Sequence, residues 1–465
     1  MHALTLLTLA LSVQGPAGEV HFGCGVKVGE VTDDYAVIWT RLTQAPDRNR
    51  AGLAWPEGAD AVPEGRRLEE MQDAVPGAPG EVRLQWWPAG AFGIRSGTDW
   101  QPVDPEKDFT HQFHIVDQLR SQTSYEFLVE GRSLGSEDAD CSLIASFRTA
   151  PAPRVSAPVT FTVVTGQEHA RRDDELGGHR IFAHMQALDP DFFVHTGDVV
   201  YHDKPGPFAK SPALARFKWN RMYSMPLQRS FHARVPSYFM TDDHDVLKND
   251  CWPGQSYGDL SWEEGLSIFR EQTPSGPLPY RRLRWGKDLE VWFVEGREFR
   301  SPNTMEDGPK KTIWGAEQKA WFFETFAASD ATFRVLVSST PVVGPDRSNK
   351  KDNHSNEAFR HEGDELRAFL AGQEDAYVVC GDRHWQYASE HEGVHEYSCG
   401  PTTDRHAGGF SQKHRTEAHR YLKVCGGFLA VSLEYTEGEP SLVFRHHAAD
   451  GSVNHEDVRA QGSGH

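Results

Sequence analysis

The sequence predicts an α/β protein in which a β-sheet sandwich flanked by helices follows an N-terminal all-β sandwich. Three observations predict this fold. Residues 20–149 alternate apolar and polar residues in short runs, which is typical of β-sandwich strands. Beyond a Pro-rich hinge, apolar strands alternate with segments of helical periodicity. The 465 residues also exceed one ordinary core, because single cores stop growing at roughly 250 to 300 residues.

The N-terminus, MHALTLLTLALSVQGPAGEV, has an apolar run from Ala3 to Val13 followed by small residues. This pattern predicts a secretory signal peptide over residues 1–18. No Lys or Arg precedes the apolar run, so an uncleaved start of the first strand stays open. No later segment approaches the roughly 20 apolar residues of a membrane span. We therefore expect an exported protein, secreted or periplasmic, without a transmembrane segment.

The N-terminal domain is predicted over residues 19–153. Runs such as YAVIWTRL and HQFHIVDQL are its strands, and SYEFLVEGRS and CSLIASFRTA look like the closing strands of a fibronectin-like module. The stretch PAPRVSAP, from Pro151 to Pro158, then supplies a hinge, because proline removes backbone donors and favours extended chain. We place the boundary between residues 153 and 154.

The second domain is predicted over residues 154–465. Its strands are VTFTVVTG, DFFVHTGD, SYFMTDDHD, LEVWFVEGRE, FRVLVSSTP and DAYVVCGDRHW. The segments GGHRIFAHMQALDP, GAEQKAWFFETFAAS and NEAFRHEGDELRAFLAG read as helices between strands. In such α/β sheets, ligands bind at the carboxyl ends of strands, where the polar clusters of this sequence fall.

Composition excludes some function classes. The formal charge of −19, from 48 Lys and Arg against 67 Asp and Glu, and the lack of a basic block argue against a nucleic-acid partner. No G-x-S-x-G or Gly-Lys-Ser/Thr motif occurs, which disfavours serine hydrolases and nucleotide kinases. The six cysteines show no metal-binding spacing. Cys380 and Cys399 either form a disulfide after export or are buried free thiols.

Three strand ends carry the candidate chemistry: HTGDVVY (His195 to Tyr201), MTDDHD (Met240 to Asp245) and CGDRHWQ (Cys380 to Gln386). Each places Asp beside His or Tyr, and such oxygen and imidazole ligands suit iron, zinc, manganese or calcium. Asp198 can bridge two cations, and a pair of ions can hold a phosphoryl group while activating water. We expect the glycine before Asp198 to leave room for a bound oxyanion.

These motifs resemble, in order and spacing, the alkaline phosphatase D (PhoD-like) branch of the calcineurin-like metallophosphoesterases. The elements are Gly-Asp-x-x-Tyr, Asp-Asp-His-Asp, WGAEQKAWF and Gly-Asp-x-His, and FGCGVKVGEVTDDYAVIWTRL resembles the family's N-terminal sandwich. The resemblance covers most of the chain and implies a metallophosphoesterase-type sandwich. It implies iron with calcium as the ions, with zinc or manganese as alternatives, and hydrolysis of phosphomonoesters or phosphodiesters.

The resemblance also implies roles for single residues. Asp198 would bridge the metals, and Tyr201 would bind iron, although plain packing of Tyr201 beneath the loop stays open. Asp243 would bind the second metal, and His244 would be the acid or phosphate-contacting group. Asp382 and His384 match the metal-binding end of the Gly-Asp-x-His strand.

The chain departs from the family pattern at two places. Gly166 stands where relatives have an iron-binding Cys, so either Glu168 or His169 replaces that ligand or the site is weakened. In FVEGREFRS, where relatives have Asp-Thr-Arg, Arg297 or Arg300 either holds a substrate phosphate or lies on a solvated turn. His354, in a polar loop, is a further candidate ligand.

The predicted function is therefore that of a secreted, metal-dependent alkaline phosphatase or phosphodiesterase that uses a metal-bound hydroxide as nucleophile. Its partner would be a small or polymeric phosphate ester. The alternative is an exported binding protein in which the β-sandwich holds a partner and the metal domain is a weakened scaffold. Gly166 motivates that alternative. Substrate preference depends on loops such as residues 204–225, whose path the sequence does not define.

Overall fold

A computed structural model describes residues 18–347 and 349–462. The predicted signal peptide thus lies almost entirely outside the described residues. The strands before the hinge are β1 (Val26–Gly29), β2 (Tyr35–Arg41), β3 (Gly80–Pro88), β4 (Ser96–Gly97), β5 (Gln101–Pro102), β6 (Thr110–Val116), β7 (Ser124–Ser133) and β8 (Cys141–Arg148).

The strands after the hinge form the core of the second part of the chain. They are β9 (Val159–Val164), β10 (Phe192–His195), β11 (Ser237–Phe239), β12 (Ser256–Tyr257), β13 (Leu260–Ser261), β14 (Arg281–Trp285), β15 (Leu289–Phe293), β16 (Phe333–Ser338), β17 (Ala376–Cys380), β18 (Gln386–His391), β19 (Val394–Cys399), β20 (His419–Lys423), β21 (Gly427–Thr436), β22 (Glu439–Ala448) and β23 (Val453–Ala460).

The helices are concentrated after the hinge. The α-helices are α1 (Ile181–Ala187), α2 (Pro212–Tyr223), α3 (Pro226–His232), α4 (Asp243–Val246), α5 (Trp262–Gln272), α6 (Gly315–Ala327) and α7 (Arg360–Ala371). Short 3₁₀ turns cover Leu68–Glu70, Pro105–Lys107, His169–Arg171, Glu357–Phe359 and Gln412–His414. The three predicted helices are confirmed as α1, α6 and α7, and α2 fills most of the loop whose path was not predicted.

Two large sheets pack face to face. One has the order β23-β22-β21-β9-β10-β11-β1-β2-β6 and the other β14-β15-β16-β17-β19-β18-β20. Aromatic pairs cross between them: Tyr397 stacks on Phe444 with ring centroids 3.8 Å apart, and Tyr238 stacks on Phe293 at 5.0 Å. Helices α1 and α3 pack on the outer face of the first sheet, and α6 and α7 on that of the second. The predicted α/β sandwich flanked by helices is confirmed.

The regular secondary structure of residues 18–153 consists of strands β1 to β8 and two short 3₁₀ turns. Three of these strands join the central sandwich. β3, β4, β5, β7 and β8 form a separate sheet, whose apolar face packs on β1, β2 and β6. However, β1, β2 and β6 extend the nine-stranded sheet, in which Gly29 pairs in parallel with Ser237. The position between residues 153 and 154 therefore divides two runs of chain that share a sheet, and as a domain boundary it stays a prediction.

All six cysteines lie in the described residues and are free thiols. Cys380 and Cys399 are neighbours on β17 and β19, where the Cys399 Sγ lies 3.7 Å from the Cys380 carbonyl oxygen. The alternative of buried free thiols therefore holds for this pair. Within the described residues, no helix is long and apolar enough to cross a membrane.

Candidate metal centre

The carboxyl ends of strands from both sheets meet at one edge of the sandwich. β9, β10 and β11 are parallel neighbours in the first sheet, and β17 runs parallel to β16 and β19 in the second. The backbone N–H of Asp382, after β17, donates to Oγ1 of Thr165, after β9, at 3.0 Å. This contact joins the two sheets where the predicted motifs lie.

The turn after β10 requires glycine because another turn approaches it closely. Gly197 has φ +110° and Asp198 has φ +59°, and a Cβ on Gly197 would lie 2.4 Å from the Cβ of Asp242. The glycine therefore makes room for the turn after β11, and its expected role of leaving space for a bound oxyanion stays a prediction. Asp382, which follows Gly381, has nearly the same backbone conformation, with φ +58°. Non-glycine residues held in this region are uncommon and cluster at functional sites.

Two groups of side chains at this edge lie close enough together to hold a cation each, and they share one carboxylate. Potential ligand atoms of Asp198, Asp243 and His244 all lie within 4.8 Å of one another, and so do those of Asp198, Asp242 and Asp382. Burial, opposed by His244 and reinforced by Asp243, raises the pKa of Asp198 to about 6. The carboxylates are therefore crowded in a site where a positive charge would stabilise their ionised forms.

Unpaired carboxylate oxygens show that these residues fit a metal ion. Oδ1 of Asp198 and Oδ2 of Asp242 are buried and have no hydrogen-bond partner among the described residues. The two residues are 1% and 0% exposed. A buried polar atom without a partner costs on the order of 1 to 3 kcal/mol. A cation between these oxygens would remove that cost, and oxygen ligands are those that calcium, manganese and iron accept.

Tyr201 and His384 lie on another side of Asp198. The Tyr201 hydroxyl donates to Asp198 Oδ2 at 2.8 Å and lies 3.2 Å from Nε2 of His384. Burial and the Asp198 charge raise the pKa of Tyr201 well above its usual value. The phenol thus reaches the carboxylate that both groups share, so it does more than fill space beneath the loop.

His244 is held by a carboxylate that the sequence motifs did not single out. Nδ1 of His244 lies 2.5 Å from Oδ1 of Asp203, and Oδ2 of Asp203 accepts the backbone N–H of Asn249 at 3.0 Å. Burial lowers the pKa of His244, but Asp243, Asp198 and Asp203 outweigh it and raise that pKa to about 10. Because Nδ1 faces Asp203, Nε2 is the nitrogen left for contact with a substrate.

Asp245 organises the backbone of the cluster. Its Oδ2 accepts N–H groups from Asp198 at 2.7 Å and Asp242 at 3.0 Å, and its Oδ1 accepts those of Val199 at 2.7 Å and Val200 at 3.0 Å. Asp245 is 0% exposed. One side chain therefore fixes the turn after β10 against the turn after β11.

The two candidate phosphate-binding arginines, Arg297 and Arg300, are buried. The alternative that they lie on a solvated turn is therefore excluded. Arg297 is 0% exposed, and its Nε donates to Oδ1 of Asp242 at 2.5 Å, with Asp243 Oδ2 at 4.0 Å. Nη2 of Arg300 donates to the carbonyl oxygen of Asp352 at 2.6 Å. The prediction that Arg297 contacts substrate is not supported by this geometry, because its guanidinium faces protein carboxylates inside the core.

The structure separates the three further candidate ligands. Oε2 of Glu168 lies 2.8 Å from Nε of Arg171, so Glu168 is already ion-paired. His169 faces away from the cluster, with Nε2 4.0 Å from Oδ2 of Asp73. His354 pairs with Glu362 at 3.0 Å and packs edge-on against Trp314, which places it in the layer of α6 and α7.

Four residues with clear places in this site were not assigned from the sequence: Asp203, Asp242, Asp245 and His406. Asp242 and Asp245 lie inside the quoted motif MTDDHD, and Asp203 follows the motif HTGDVVY by two residues, so their neighbours in sequence were a usable signal. His406 lies in the segment PTTDRHAGG, which carries no recognisable motif. Its ring centroid is 4.0 Å from that of His384.

Comparison with known proteins supports the family resemblance. A profile of PhoD-like phosphatases matches residues 161–424. Alkaline phosphatase D of Bacillus subtilis (strain 168) is 23% identical over 359 residues, which make up 68% of this chain and 55% of that protein. The chain thus spans about half the length of this curated relative.

Solved structures match the fold across nearly the whole chain. The structure of PhoD superimposes with a TM-score of 0.73 at 17% identity, covering 95% of this chain and 91% of that one. A purple acid phosphatase from seeds of yellow lupin (Lupinus luteus) gives a TM-score of 0.64 at 12% identity, covering 94% and 74%. At these identities the matches show a shared fold.

Proposed function

Because the chain belongs to the PhoD-like phosphatase family, we propose that it is a phosphoesterase that hydrolyses phosphate esters at a pair of metal ions. The observation that carries the proposal is the position of Asp198, which belongs to both ligand groups at the sheet edge. A carboxylate shared by two groups is what a two-metal site requires, since its oxygens reach both ions.

We assign the ligands from the contacts around Asp198. Tyr201 and His384 would hold one ion with Asp198, because both lie within 4 Å of its Oδ2. Asp242 and Asp382, which form one of the two ligand groups with Asp198, would hold the other ion together with Asp243 from the neighbouring group. Oδ2 of Asp242 has no hydrogen-bond partner among the described residues.

The ions would bind phosphoryl oxygens and generate the nucleophile from water. Iron with calcium is our first choice, because a phenolate such as that of Tyr201 favours ferric iron and the carboxylate-rich group suits calcium. Zinc or manganese would also accept this set of oxygen and nitrogen ligands.

The chain itself would position the substrate and move a proton. His244 carries its proton next to the cluster while Asp203 holds Nδ1 at 2.5 Å, so Nε2 can donate to the leaving oxygen as a general acid. Arg297 would act as a positioning residue that fixes Asp242 through its Nε. The side chains of Asp382 and His384 are 14% and 27% exposed, so this side of the cluster is open to a substrate.

We further propose that the protein acts outside the cytoplasm. The proposal depends on the apolar run from Ala3 to Val13, which has the length of a signal-peptide core. Expression with and without residues 1–18, followed by fractionation of the cells, tests it. Equal amounts of both forms in the exported fraction would contradict it.

The Asp198→Asn variant tests the metal-dependent reaction. It keeps the shape of the side chain but loses the charge that two cations need, so we expect lower metal content and at least a ~10³-fold loss of kcat, or ~4 kcal/mol. Activity is measured on an aryl phosphate and a bis-aryl phosphodiester, and ions are counted by elemental analysis. Asp60→Asn is the control, because Asp60 forms an exposed ion pair with Lys210.

Two results would contradict the proposal. Unchanged activity in Asp198→Asn would refute the role of the shared carboxylate. Wild-type protein that binds two ions but hydrolyses neither substrate would instead favour the alternative, an exported binding protein on a weakened phosphatase scaffold.

A further inference from the structure

At the side of the cluster next to His384, the chain has a glycine, Gly166, and therefore no side chain; we call this place the Gly166 corner. Gly166 follows β9 with φ +59°, and a Cβ there would lie 3.2 Å from Cδ2 and Nε2 of His384. Position 166 therefore abuts the imidazole that we assign to the ion held by Asp198 and Tyr201. Any other residue at this position would need a left-handed backbone and a shift of the His384 ring.

His406 occupies the space beside Gly166. It lies in the segment after β19, where its backbone N–H donates to the Thr403 carbonyl oxygen at 3.0 Å, and it is 4% exposed. Its ring centroid lies 4.0 Å from that of His384 and 5.2 Å from that of Tyr201. The imidazole thus packs against two of the side chains assigned to one ion.

A hydrogen bond defines which nitrogen of His406 is available. Nδ1 lies 2.9 Å from the carbonyl oxygen of Gly166, and because a carbonyl can only accept, Nδ1 carries the hydrogen. Nε2 then has a free lone pair. Histidines that bind metals commonly donate their other ring N–H to a backbone carbonyl in this way, which fixes the ring and raises its basicity.

The other candidates for this corner are already engaged. Glu168 is ion-paired with Arg171 at 2.8 Å, and its Oε2 lies 3.6 Å from Nε2 of His406. His169 lies beside Arg172, whose Nη1 is 3.3 Å from its Nδ1. Of these three side chains, His406 is therefore the one whose Nε2 carries no proton and is left for a ligand.

We infer that His406 is a metal ligand through Nε2 and replaces the side chain that position 166 lacks. The inference rests on the proposed metal-dependent function and deepens it. With His406, one ion would have two imidazoles, a phenol and a carboxylate around it. This set contains no sulfur, so it would favour zinc, manganese or iron over soft metals that prefer thiolates.

Metal affinity tests the inference without an activity assay. Metal-free protein is titrated with Zn²⁺ and separately with Co²⁺, and both stoichiometry and visible cobalt absorption are recorded. In His406→Ala we expect affinity for one ion to fall at least ~10- to 100-fold, with a changed cobalt spectrum and the second ion retained. His169→Ala is the matched control and should bind both ions as the wild type does.

A second variant covers the case in which His406→Ala does not fold. His406→Gln keeps the volume and a donor for the Gly166 carbonyl but removes the imidazole, so it should show the same loss. Wild-type affinity for both ions in either folded variant would overturn the inference. If wild type itself binds no ions, the proposed function fails, whereas two ions in wild type and in His406→Gln would refute only the role of His406.

Discussion

Asp245 gives the sharpest prediction about how the site is built. Its two carboxylate oxygens accept four backbone N–H groups, two on each oxygen, at 2.7 to 3.0 Å. The residue is completely buried, so water cannot replace a lost acceptor. The turn that carries Asp198 depends on these bonds.

Asp245→Asn changes this arrangement with almost no change in shape. The amide oxygen can still accept two of the N–H groups, but the NH₂ group faces the other two as a donor. Each buried N–H without a partner costs about 1 to 3 kcal/mol. We therefore expect the free energy of unfolding to fall by about 2 to 6 kcal/mol. Metal affinity should fall as well, because the Asp198 turn loses its fixed position.

Urea unfolding followed by far-UV circular dichroism measures this change, with the wild-type slope used for both proteins. Asp174→Asn is the matched control. Oδ1 of Asp174 alone accepts the N–H groups of Leu176 at 3.1 Å and Gly177 at 2.8 Å, so the amide oxygen can keep both bonds. A loss below ~1 kcal/mol in Asp245→Asn, or an equal loss in the control, would refute the reasoning.

Two further predictions test other parts of the site, and a third tests a buried pair that lies outside it. Asp203→Asn should leave the metal content unchanged and lower kcat by about 10- to 100-fold, because it disturbs the orientation and protonation of His244; an unchanged kcat would contradict this. Arg297→Met should cost about 3 to 5 kcal/mol in urea unfolding, because it leaves Asp242 as a buried charge without its partner, and a neutral effect would count against the ion pair. His354 and other contacts lower the pKa of Glu362 from 4.5 to about 2 against the effect of burial. The stability from this lowered pKa is full above pH 4.5 and lost as the pH falls toward 2, so Glu362→Gln should flatten that acid loss, measured as unfolding temperature against pH.

The grouping of the polar strand ends into one site could be predicted from the sequence, because it follows from a simple physical rule. The ends of parallel strands meet at one edge of a sheet, so Asp198, Asp243 and Asp382 could be grouped from sequence alone. The helices α1, α6 and α7 were likewise visible as apolar residues at helical spacing. Both inferences use information that is local in the chain.

Long-range contacts account for the differences from the sequence-based account. Arg297 was expected either to hold a substrate phosphate or to lie on a solvated turn, but pairing with Asp242, 55 residues away in sequence, takes it into the core. His406 reaches the corner beside Gly166 across 240 residues, from a segment with no motif. His354 was proposed as a metal ligand because its neighbours in sequence are polar. Its actual partner, Glu362, lies on α7. Nothing local encodes these contacts.

The central claim is that two ions share Asp198, and anomalous diffraction from crystals of metal-loaded protein tests it most directly. We predict two peaks about 3.5 to 4 Å apart, with the Asp198 carboxylate between them and Tyr201 and His384 beside one peak. A single peak, or two peaks that do not share Asp198, would contradict the account.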